Sequence, residues 1–473
     1  MIVTLRPMED LARLGEAVWR SLRARWFVAL VALIGVFALL SSPVVYRPDS
    51  RGYLLRGETP FGETYGSLSF SGDALRPWPT VLTFAAGPTI GVIVQYLLYF
   101  AAVVLFCEVA RRLSAPRLLP VAVVASLALL LNRNSIQWLT IVHSEALTAV
   151  LTIVSISLAL LFVLPDGRRW YAFLAVAAAA LAVVNRPTQL PLFLVIAFMV
   201  VVQSRRRGWI RQGAPVLIMA GVSLAYAVGV NAAISSHWAA SESNFTAASG
   251  IERTSVGYFF LTATGIGDAR DGRADRLYEA LANDPNIPPC VTGSRPVWEE
   301  CVHCSIPRFA ETCPVGVRWV NEDFQPWYLR FLLRDPVYSL SLAGDALWQG
   351  AQQEVRYATP WSPVPPVVEK VFTGVRFPMT IGTLGPALLI GSVVALSRLR
   401  RPTEDFAGNP SRIVDVGLLA ILVASALSVL LANFQMNMEV GRISQPGVLG
   451  VFLAVILILS RVRVGGRARR ELR

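Results

Sequence analysis

The chain has 473 residues, of which 54% are hydrophobic and only 16% charged, and its mean hydropathy is +0.53. Soluble domains carry about 25% charged residues, so this composition excludes an ordinary soluble domain and indicates that lipid surrounds most of the chain. The net charge of +12 does not indicate nucleic-acid binding, because the basic residues stand in short clusters at the ends of long apolar runs.

A helix needs roughly 20 apolar residues to cross the hydrocarbon core of a bilayer. On this criterion we predict about ten transmembrane helices in an all-α polytopic membrane protein. They are expected at 26–45, 88–110, 118–132, 145–165, 170–185, 189–203, 214–233, 377–397, 414–432 and 446–462. Pro187 separates the fifth run from the sixth. One kinked helix is an alternative there, but it would put neighbouring arginine clusters in different compartments.

Arginine clusters indicate the orientation, because cytoplasmic loops of membrane proteins are enriched in Lys and Arg. With both termini in the cytoplasm, every cluster falls on the cytoplasmic side. The clusters consist of Arg20, Arg23, Arg25, Arg111, Arg112, Arg117, Arg168, Arg169, Arg205, Arg206, Arg207, Arg398, Arg400, Arg401, Arg461, Arg463, Arg467, Arg469, Arg470 and Arg473. The sequence therefore predicts a multi-pass protein of the bacterial cytoplasmic (inner) membrane, whose first span is an uncleaved signal anchor.

This topology predicts three units. Residues 1–233 form an N-terminal transmembrane module with a first outer loop at 46–87. Residues 234–376 form an extracytoplasmic lid domain, because so long a segment is too large for a simple connection. Residues 377–473 form a C-terminal transmembrane module. Within the lid, Asp335 followed by Pro336 predicts the capped start of an amphipathic helix that runs to Gln353.

Four of the five cysteines lie in the lid domain, and Cys107 lies in an apolar run where it packs as an inert side chain. Disulfides are the default in an oxidising outer compartment, so two are expected, with three possible pairings. The four are Cys290, Cys301, Cys304 and Cys313. A zinc site built on the CxxC pair and His303 is the less favoured alternative.

Polar groups at the outer ends of the apolar runs are the functional candidates, because such groups are costly in a membrane. Asp49 directly follows the first span, where its carboxylate can act as a general base or simply cap the next helix. Arg76 stands beside Trp78 at the end of the first outer loop. There it can contact a lipid phosphate or act as an interfacial anchor.

Three further sites follow along the chain. His143 and Glu145 open the fourth span, where Glu145 can serve function or interact favourably with the positive helix end. Arg186 interrupts an apolar run, so it is expected to pair with an anionic lipid head group or to snorkel towards water. Glu439 and Arg442 precede the last span at i,i+3 spacing and can pair with each other, or Arg442 can face a phosphate.

These residues resemble the integral-membrane glycosyltransferases of the GT-C superfamily, which use polyprenyl-phosphate-linked sugars. Asp49 and Tyr53 lie in YRPDSRGY, which matches the acidic residue of the first outer loop in that group. LRPWPTVLTF, ALAVVNRPTQLPLFL and EVGRISQPGVLG match later motifs, although Ile443 replaces a tyrosine in the last one. DPVYSLSLAGDALW resembles the element that re-enters the membrane after the large outer loop.

The resemblance implies a GT-C-like fold and transfer of a sugar from a polyprenyl-phosphate donor to a cell-envelope glycan or lipid acceptor. It implies that Asp49 deprotonates the acceptor and that Arg186 or Arg442 stabilises the departing phosphate. The other substrate-binding candidates are Tyr53, Arg76, His143, Glu145 and Glu439. By analogy, the arginine-rich composition would suit an actinobacterial arabinosyl- or mannosyltransferase of envelope glycans.

No cofactor is firmly expected. Asp49 could hold a divalent cation together with Glu58 or Glu63, but no ligand spacing supports such a site, so metal dependence stays open. The partners expected are the lipid-linked donor, a glycan or glycolipid acceptor and membrane lipids, without nucleic acid.

Three other functions compete with transfer. A transporter or lipid flippase would explain the spans, but the internal repeats common in transporters are not apparent in the sequence. A lipid-linked glycan polymerase or ligase would share the donor and the outer active site. A non-catalytic envelope scaffold would tolerate substitution of the outer acids and arginines.

Overall fold

The structure of the chain is a computed structural model. It describes residue 44 and residues 56–58, 64–66, 78–116, 118–130, 139, 141–142, 144–208, 221–222, 225, 273–293, 312–341, 384–400, 410–435 and 445–462. Two of the ten predicted spans, 26–45 and 214–233, fall almost entirely outside these residues.

The first outer loop contains a short β-hairpin that the sequence did not predict. Strand β1 (Arg56–Glu58) pairs antiparallel with β2 (Thr64–Gly66), with Arg56 opposite Gly66. The intervening sequence contains Pro60 and Gly62, residue types that favour turns. The all-α prediction is therefore correct for most of the described residues but misses this strand pair.

Among the described residues, eight apolar helices occupy positions of predicted spans. They follow the short helix α1 (Trp78–Thr83). They are α2 (Pro88–Leu113), α3 (Leu119–Leu130), α4 (Ser144–Val163), α5 (Arg169–Asn185), α6 (Leu190–Arg206), and then α11 (Leu384–Leu399), α12 (Pro410–Gln435) and α13 (Gln445–Ser460), after the helices of the lid segment.

Within the described ranges, four helical segments are long and apolar enough to cross a membrane: Pro88–Leu113, Ser144–Val163, Pro187–Arg206 and Arg412–Leu431. Helices α5, α11 and α13 are apolar but shorter, and α3 has 12 residues. The structure thus supports a polytopic membrane protein, while the count of ten spans stays a prediction.

Helices α5 and α6 form a hairpin rather than one kinked helix, as predicted. Arg207, after the end of α6, donates hydrogen bonds to the carbonyl oxygens of Leu164 and Gly167, just before α5. Its guanidinium also lies 5.2 Å from the centre of the Phe162 ring. The far ends of the two helices are therefore adjacent, and the chain reverses between Asn185 and Leu190.

The arginine-bearing helix ends meet at one end of the bundle, which we call the arginine end. Arg112 pairs with Asp166 at 2.5 Å, which joins the end of α2 to the α4–α5 connection. The backbone N–H of Ala115 donates to the carbonyl of Ser460 at 2.9 Å, which joins the same end of α2 to α13. The sequence grouped these connections on one side, and their contacts agree. The compartment that this end faces stays a prediction.

A buried carboxylate ties three helices together at the arginine end. Asp415, near the start of α12, is 8% exposed and accepts hydrogen bonds from Arg398 at 3.0 Å and from Arg461 at 2.8 Å. Arg461 also donates to the carbonyl oxygen of Leu113, and Arg398 donates to that of Arg461. Both arginines thus satisfy helix C-terminal carbonyls that would otherwise lack partners.

Helix α4 lies at the centre of the bundle and is buried almost throughout. It packs against α2, α5, α6, α12 and α13. Helices α12 and α13 approach closely at Gly447 and Gly450. A Cβ atom at Gly447 would lie 2.9 Å from the Ser425 carbonyl oxygen, and one at Gly450 would lie 2.4 Å from Ser425 Oγ. Small residues at such crossings are typical of helix pairs in membranes.

The lid segment has a hydrophobic cluster of its own, which we call the lid cluster. Its helices are α7 (Arg273–Ala282), α8 (Pro289–Gly293), α9 (Pro314–Glu322) and α10 (Phe324–Arg334). Aromatic side chains dominate the cluster, with centroid separations of 4.8–6.4 Å that suit aromatic contacts. These side chains are Trp319, Phe324, Trp327, Tyr328, Phe331 and Tyr338. The boundaries 234–376 stay a prediction.

Two predictions about the lid segment can be compared with the structure. Cys290 and Cys313 form a disulfide, which selects between the possible pairings, while Cys301 and Cys304 lie outside the described residues. Asp335 caps the following helix, because its carboxylate accepts a hydrogen bond from the Tyr338 backbone N–H at 2.9 Å. The predicted helix start at Asp335 is confirmed, and residues 336–341 are helical.

Replacing Asp415 by Ala should destabilise the protein by about 3–5 kcal/mol, because two buried arginines would lose their shared carboxylate. Thermal unfolding of the full chain in detergent measures this. The Ser397→Ala variant is the control, since its exposed hydroxyl bonds only the Val394 carbonyl. Equal unfolding temperatures for the Asp415 and Ser397 variants would contradict the conclusion that Asp415 stabilises the helix ends through Arg398 and Arg461.

Replacing both Cys290 and Cys313 by Ser should destabilise the lid helices by about 3 kcal/mol, from the entropy of the chain loop that the disulfide closes. Limited proteolysis of the full chain should then cut within residues 273–341 faster than in the wild type. Peptide mapping without reduction should recover the Cys290–Cys313 link, and recovery of either cysteine in another link would refute this pairing.

Candidate functional site

A buried ion pair lies at the end of the bundle opposite the arginine end, and we call it the Glu145–Arg186 pair. Arg186 Nη2 lies 2.5 Å from Glu145 Oε1. The Glu145 side chain is 1% exposed and that of Arg186 is 18% exposed. A carboxylate in an apolar bundle costs several kcal/mol unless it is paired, so this arrangement depends on the partner.

The local sequence explains why Arg186 stands where it does. Helix α5 ends at Asn185, and Arg186 adopts extended backbone angles (φ −150°, ψ 108°). A residue before proline avoids the helical region, so Pro187 ends the helix at this point. Pro187–Gln189 then form one turn of 3-10 helix before α6 begins. The break holds the arginine at the helix terminus rather than on a lipid-facing side.

Glu145 comes from the first turn of α4, which begins at Ser144. A carboxylate at this position interacts favourably with the positive end of the helix dipole. The same side chain also pairs with Arg186. The interpretation of Glu145 as a charge at the helix end therefore fits its position, while its functional role stays a prediction. Arg186 was predicted to pair with a lipid anion or to snorkel towards water, and in the structure it pairs with a protein carboxylate.

Asn185 joins three helices beside the ion pair. Its Nδ2 donates to the Ser144 carbonyl at 2.8 Å and to Thr148 Oγ1 at 2.7 Å. Its Oδ1 accepts a hydrogen bond from Thr80 Oγ1 at 2.6 Å. Asn185 thereby links α1, α4 and α5 through buried hydrogen bonds. These bonds hold Asn185 in place immediately before Arg186.

A second polar layer lies one turn further along α4. Thr152 Oγ1 donates to Gln189 Oε1 at 3.3 Å, which ties α4 to the 3-10 turn. Within the part of the chain that the structure describes, Arg186 Nε and Thr188 Oγ1 are buried and have no hydrogen-bond partner. Both atoms are donors, and an unpaired buried donor favours an anionic oxygen as its ligand.

Most of the other predicted site residues lie outside the described part of the chain. They are Asp49, Tyr53, Arg76, His143, Glu439 and Arg442. Among the residues that the structure does describe, Val44 packs against the core of the bundle, and Thr80, which lies within the predicted first outer loop, donates a hydrogen bond to Asn185.

Sequence reasoning identified Arg186 and Glu145 but not the residues that support them. Thr80, Thr148, Asn185, Thr188 and Gln189 were missed as site residues. A signal was present in α4, where Ser144, Thr148 and Thr152 recur every four residues in an apolar helix. This spacing predicts a polar stripe facing a partner helix.

The described residues contain no group of three or more His, Cys, Asp or Glu side chains that could hold a metal ion. Asp49 and Glu63 lie outside that part of the chain, and of Glu58 only the backbone is described. The site described above is therefore built from one carboxylate, one guanidinium and neutral hydrogen-bonding groups.

Two variants should separate the cost of an unpaired charge from the cost of changed packing. Glu145→Leu alone leaves Arg186 without its carboxylate and should destabilise the protein by about 3 kcal/mol. Glu145→Leu combined with Arg186→Met removes both charges, so its stability should lie within about 1 kcal/mol of the wild type. Thermal unfolding in detergent measures both. A double variant as unstable as the single one would show that the two charges are not energetically coupled.

Comparison of this chain with protein-family models, with curated proteins and with solved structures finds no match in any of the three. The Glu145–Arg186 pair, with the buried donors Arg186 Nε and Thr188 Oγ1 beside it, is the candidate functional site in the described part of the chain.

Proposed function

We propose that this chain is a membrane glycosyltransferase of GT-C type. It moves a sugar from a polyprenyl-phosphate donor to a cell-envelope glycan or lipid acceptor. The observation that supports this function best is the pair of neighbouring buried donors, Arg186 Nε and Thr188 Oγ1, which no described protein group satisfies. A lipid-linked phosphate is the anion that a guanidinium at a membrane-embedded helix end can reach.

Arg186 would stabilise the phosphate as it leaves the sugar. A guanidinium forms strong, directional hydrogen bonds to phosphate oxygens, and such donors act most strongly where water is excluded. Glu145 holds Nη2 and thereby orients the guanidinium before substrate binds. The Thr188 hydroxyl adds a neutral donor from the same turn.

The acceptor would be activated by Asp49 in the first outer loop. A carboxylate near the acceptor hydroxyl can remove its proton as the new glycosidic bond forms. The hydrogen bond from Thr80 to Asn185 supports this role, because it ties a residue of the predicted first outer loop to the neighbour of Arg186. Base and phosphate-binding group would then face the same end of the bundle.

The membrane orientation follows from the arginine end. Cytoplasmic loops are enriched in arginine, so that end would lie in the cytoplasm and the Glu145–Arg186 pair at the outer face. The protein would be a multi-pass component of the bacterial cytoplasmic membrane, with its active site on the extracytoplasmic side. A polymerase or ligase of lipid-linked glycans would use the same phosphate site, and the reaction product distinguishes it.

A transporter fits the site less well. Secondary transporters hold their substrates near the middle of the bilayer, between discontinuous helices. Glu145 lies in the first turn of α4 and Arg186 follows the last residue of α5, so the pair lies at a helix end. This position suits chemistry at the membrane surface.

The test is sugar transfer by the purified full chain, using a panel of polyprenyl-phosphate sugars and an envelope glycolipid extract as acceptor. Arg186→Lys should lower kcat about 100-fold, because lysine keeps the charge but loses the planar donor pair. Asp49→Asn should lower kcat about 1,000-fold by removing the base. A wild-type rate in the folded Glu145→Leu/Arg186→Met variant would refute the site.

Arg207→Lys is the matched control, since it makes the same change at the other end of α6. Its turnover should match the wild type, although the bonds to Leu164 and Gly167 make some loss of stability expected. A second measurement is stabilisation of the protein against heat by a polyprenyl phosphate without sugar. That stabilisation should decrease in Arg186→Lys and persist in Arg207→Lys.

A further inference from the structure

Large aliphatic side chains are exposed along one stripe of the lid segment. Leu329 is 50% exposed, Leu333 86%, Val337 56% and Leu340 72%. Leu329 and Leu333 are four residues apart on α10, and Val337 and Leu340 are three residues apart on the helical turn after Asp335, so each pair shares a helix face. We call these four residues the lid stripe.

The lid stripe is not a by-product of a poorly formed core. On the opposite side of the same segment, Phe324, Tyr328 and Tyr338 are each no more than 1% exposed. Helical hydrogen bonds run on both sides of the break at Asp335. The Asp335 N–H donates to the Phe331 carbonyl, and the Ser339 N–H donates to the Asp335 carbonyl. The segment therefore has two apolar sides, of which only one is buried within the lid cluster.

The charged residues that directly neighbour the lid stripe in sequence are basic. Arg330 and Arg334 are exposed and stand next to Leu329 and Leu333 in sequence. The acid within this stretch, Asp335, is already engaged, since it caps Tyr338 and lies 3.3 Å from Arg276. The surface thus combines exposed aliphatic groups with positive charge.

We propose that the lid stripe rests on the surface of a phospholipid bilayer, with Arg330 and Arg334 against the lipid phosphates. Aliphatic side chains bordered by arginines are the composition of helices that lie in the membrane interface. Helix α11, which follows the lid segment, ends at the arginine end through Arg398, so its start at Leu384 lies at the Glu145–Arg186 end. The chain therefore returns from the lid segment to the membrane at that end.

A second copy of the chain is a poorer occupant than lipid. In a two-fold dimer the same patch meets itself, which would bring Arg330 and Arg334 of both copies together. Like charges facing each other across an interface disfavour association. Lipid phosphates offer the opposite charge. This inference concerns how the lid segment lies on the membrane and does not depend on the proposed glycosyl transfer.

The test places an environment-sensitive fluorophore on the stripe. Leu333→Cys in the full chain is labelled with a nitrobenzoxadiazole probe without reductant and placed in nanodiscs of phosphatidylglycerol and phosphatidylethanolamine. Arg318→Cys is the matched control, since its side chain is 77% exposed but pairs with Glu322 on polar surface. The wild type treated with the same reagent provides the background. Both positions are exposed, so neither substitution should affect folding.

The probe at position 333 should emit at shorter wavelength than the probe at 318. Lipids brominated about 5–10 Å below the headgroup boundary should quench it about twofold while leaving the probe at 318 unchanged. Equal emission from the two positions would overturn the proposal. Blue-shifted emission at 333 that brominated lipid does not quench would also overturn it, because protein would then cover the stripe. Leu340→Cys should behave as Leu333→Cys does.

Discussion

The structure depends on the requirement that every charge inside an apolar bundle has an opposite charge beside it. Glu145 is 1% exposed on the helix that the other helices surround, and Arg186, whose Nη2 lies 2.5 Å from Glu145 Oε1, supplies the opposite charge. This requirement fixes more than two side chains. It also holds the start of the α5–α6 connection beside the first turn of α4, since Arg186 is the first residue of that connection and Glu145 lies in that turn.

A buried carboxylate is also paired with arginine at the arginine end, where it has a different role. Asp415 binds two arginines, and these also donate to the carbonyl oxygens at helix ends. Arg398 too has a buried Nε without a partner in the described part of the chain, so one such atom does not by itself mark a binding site. What distinguishes Arg186 is its surroundings. Among the described residues its guanidinium donates only to Glu145, and a second buried donor, Thr188 Oγ1, stands two residues away.

Sequence patterns predicted the elements well and the contacts poorly, for a physical reason. Apolar length, proline and capping residues act within a few residues of each other, so the run at 88–110, the break at Pro187 and the cap at Asp335 could all be predicted. Glu145 and Arg186 were each selected as candidates, but their pairing joins separate helices, and hydropathy carries no information about it. The same holds for Cys290 and Cys313, where composition allowed three pairings. The β-hairpin was missed because its strands have three residues each.

Preorganisation is the property that connects this architecture to the proposed glycosyl transfer. A guanidinium stabilises a departing phosphate most when its position is set before the reaction, since reorienting dipoles during the reaction would consume the gain. Pro187 sets the backbone of Arg186, Asn185 anchors the preceding residue to α1 and α4, and Glu145 holds one side of the guanidinium. Three independent constraints thus act on one side chain. A side chain that only snorkels to the membrane surface needs none of them, and this difference is the physical reason to place the chemistry at Arg186.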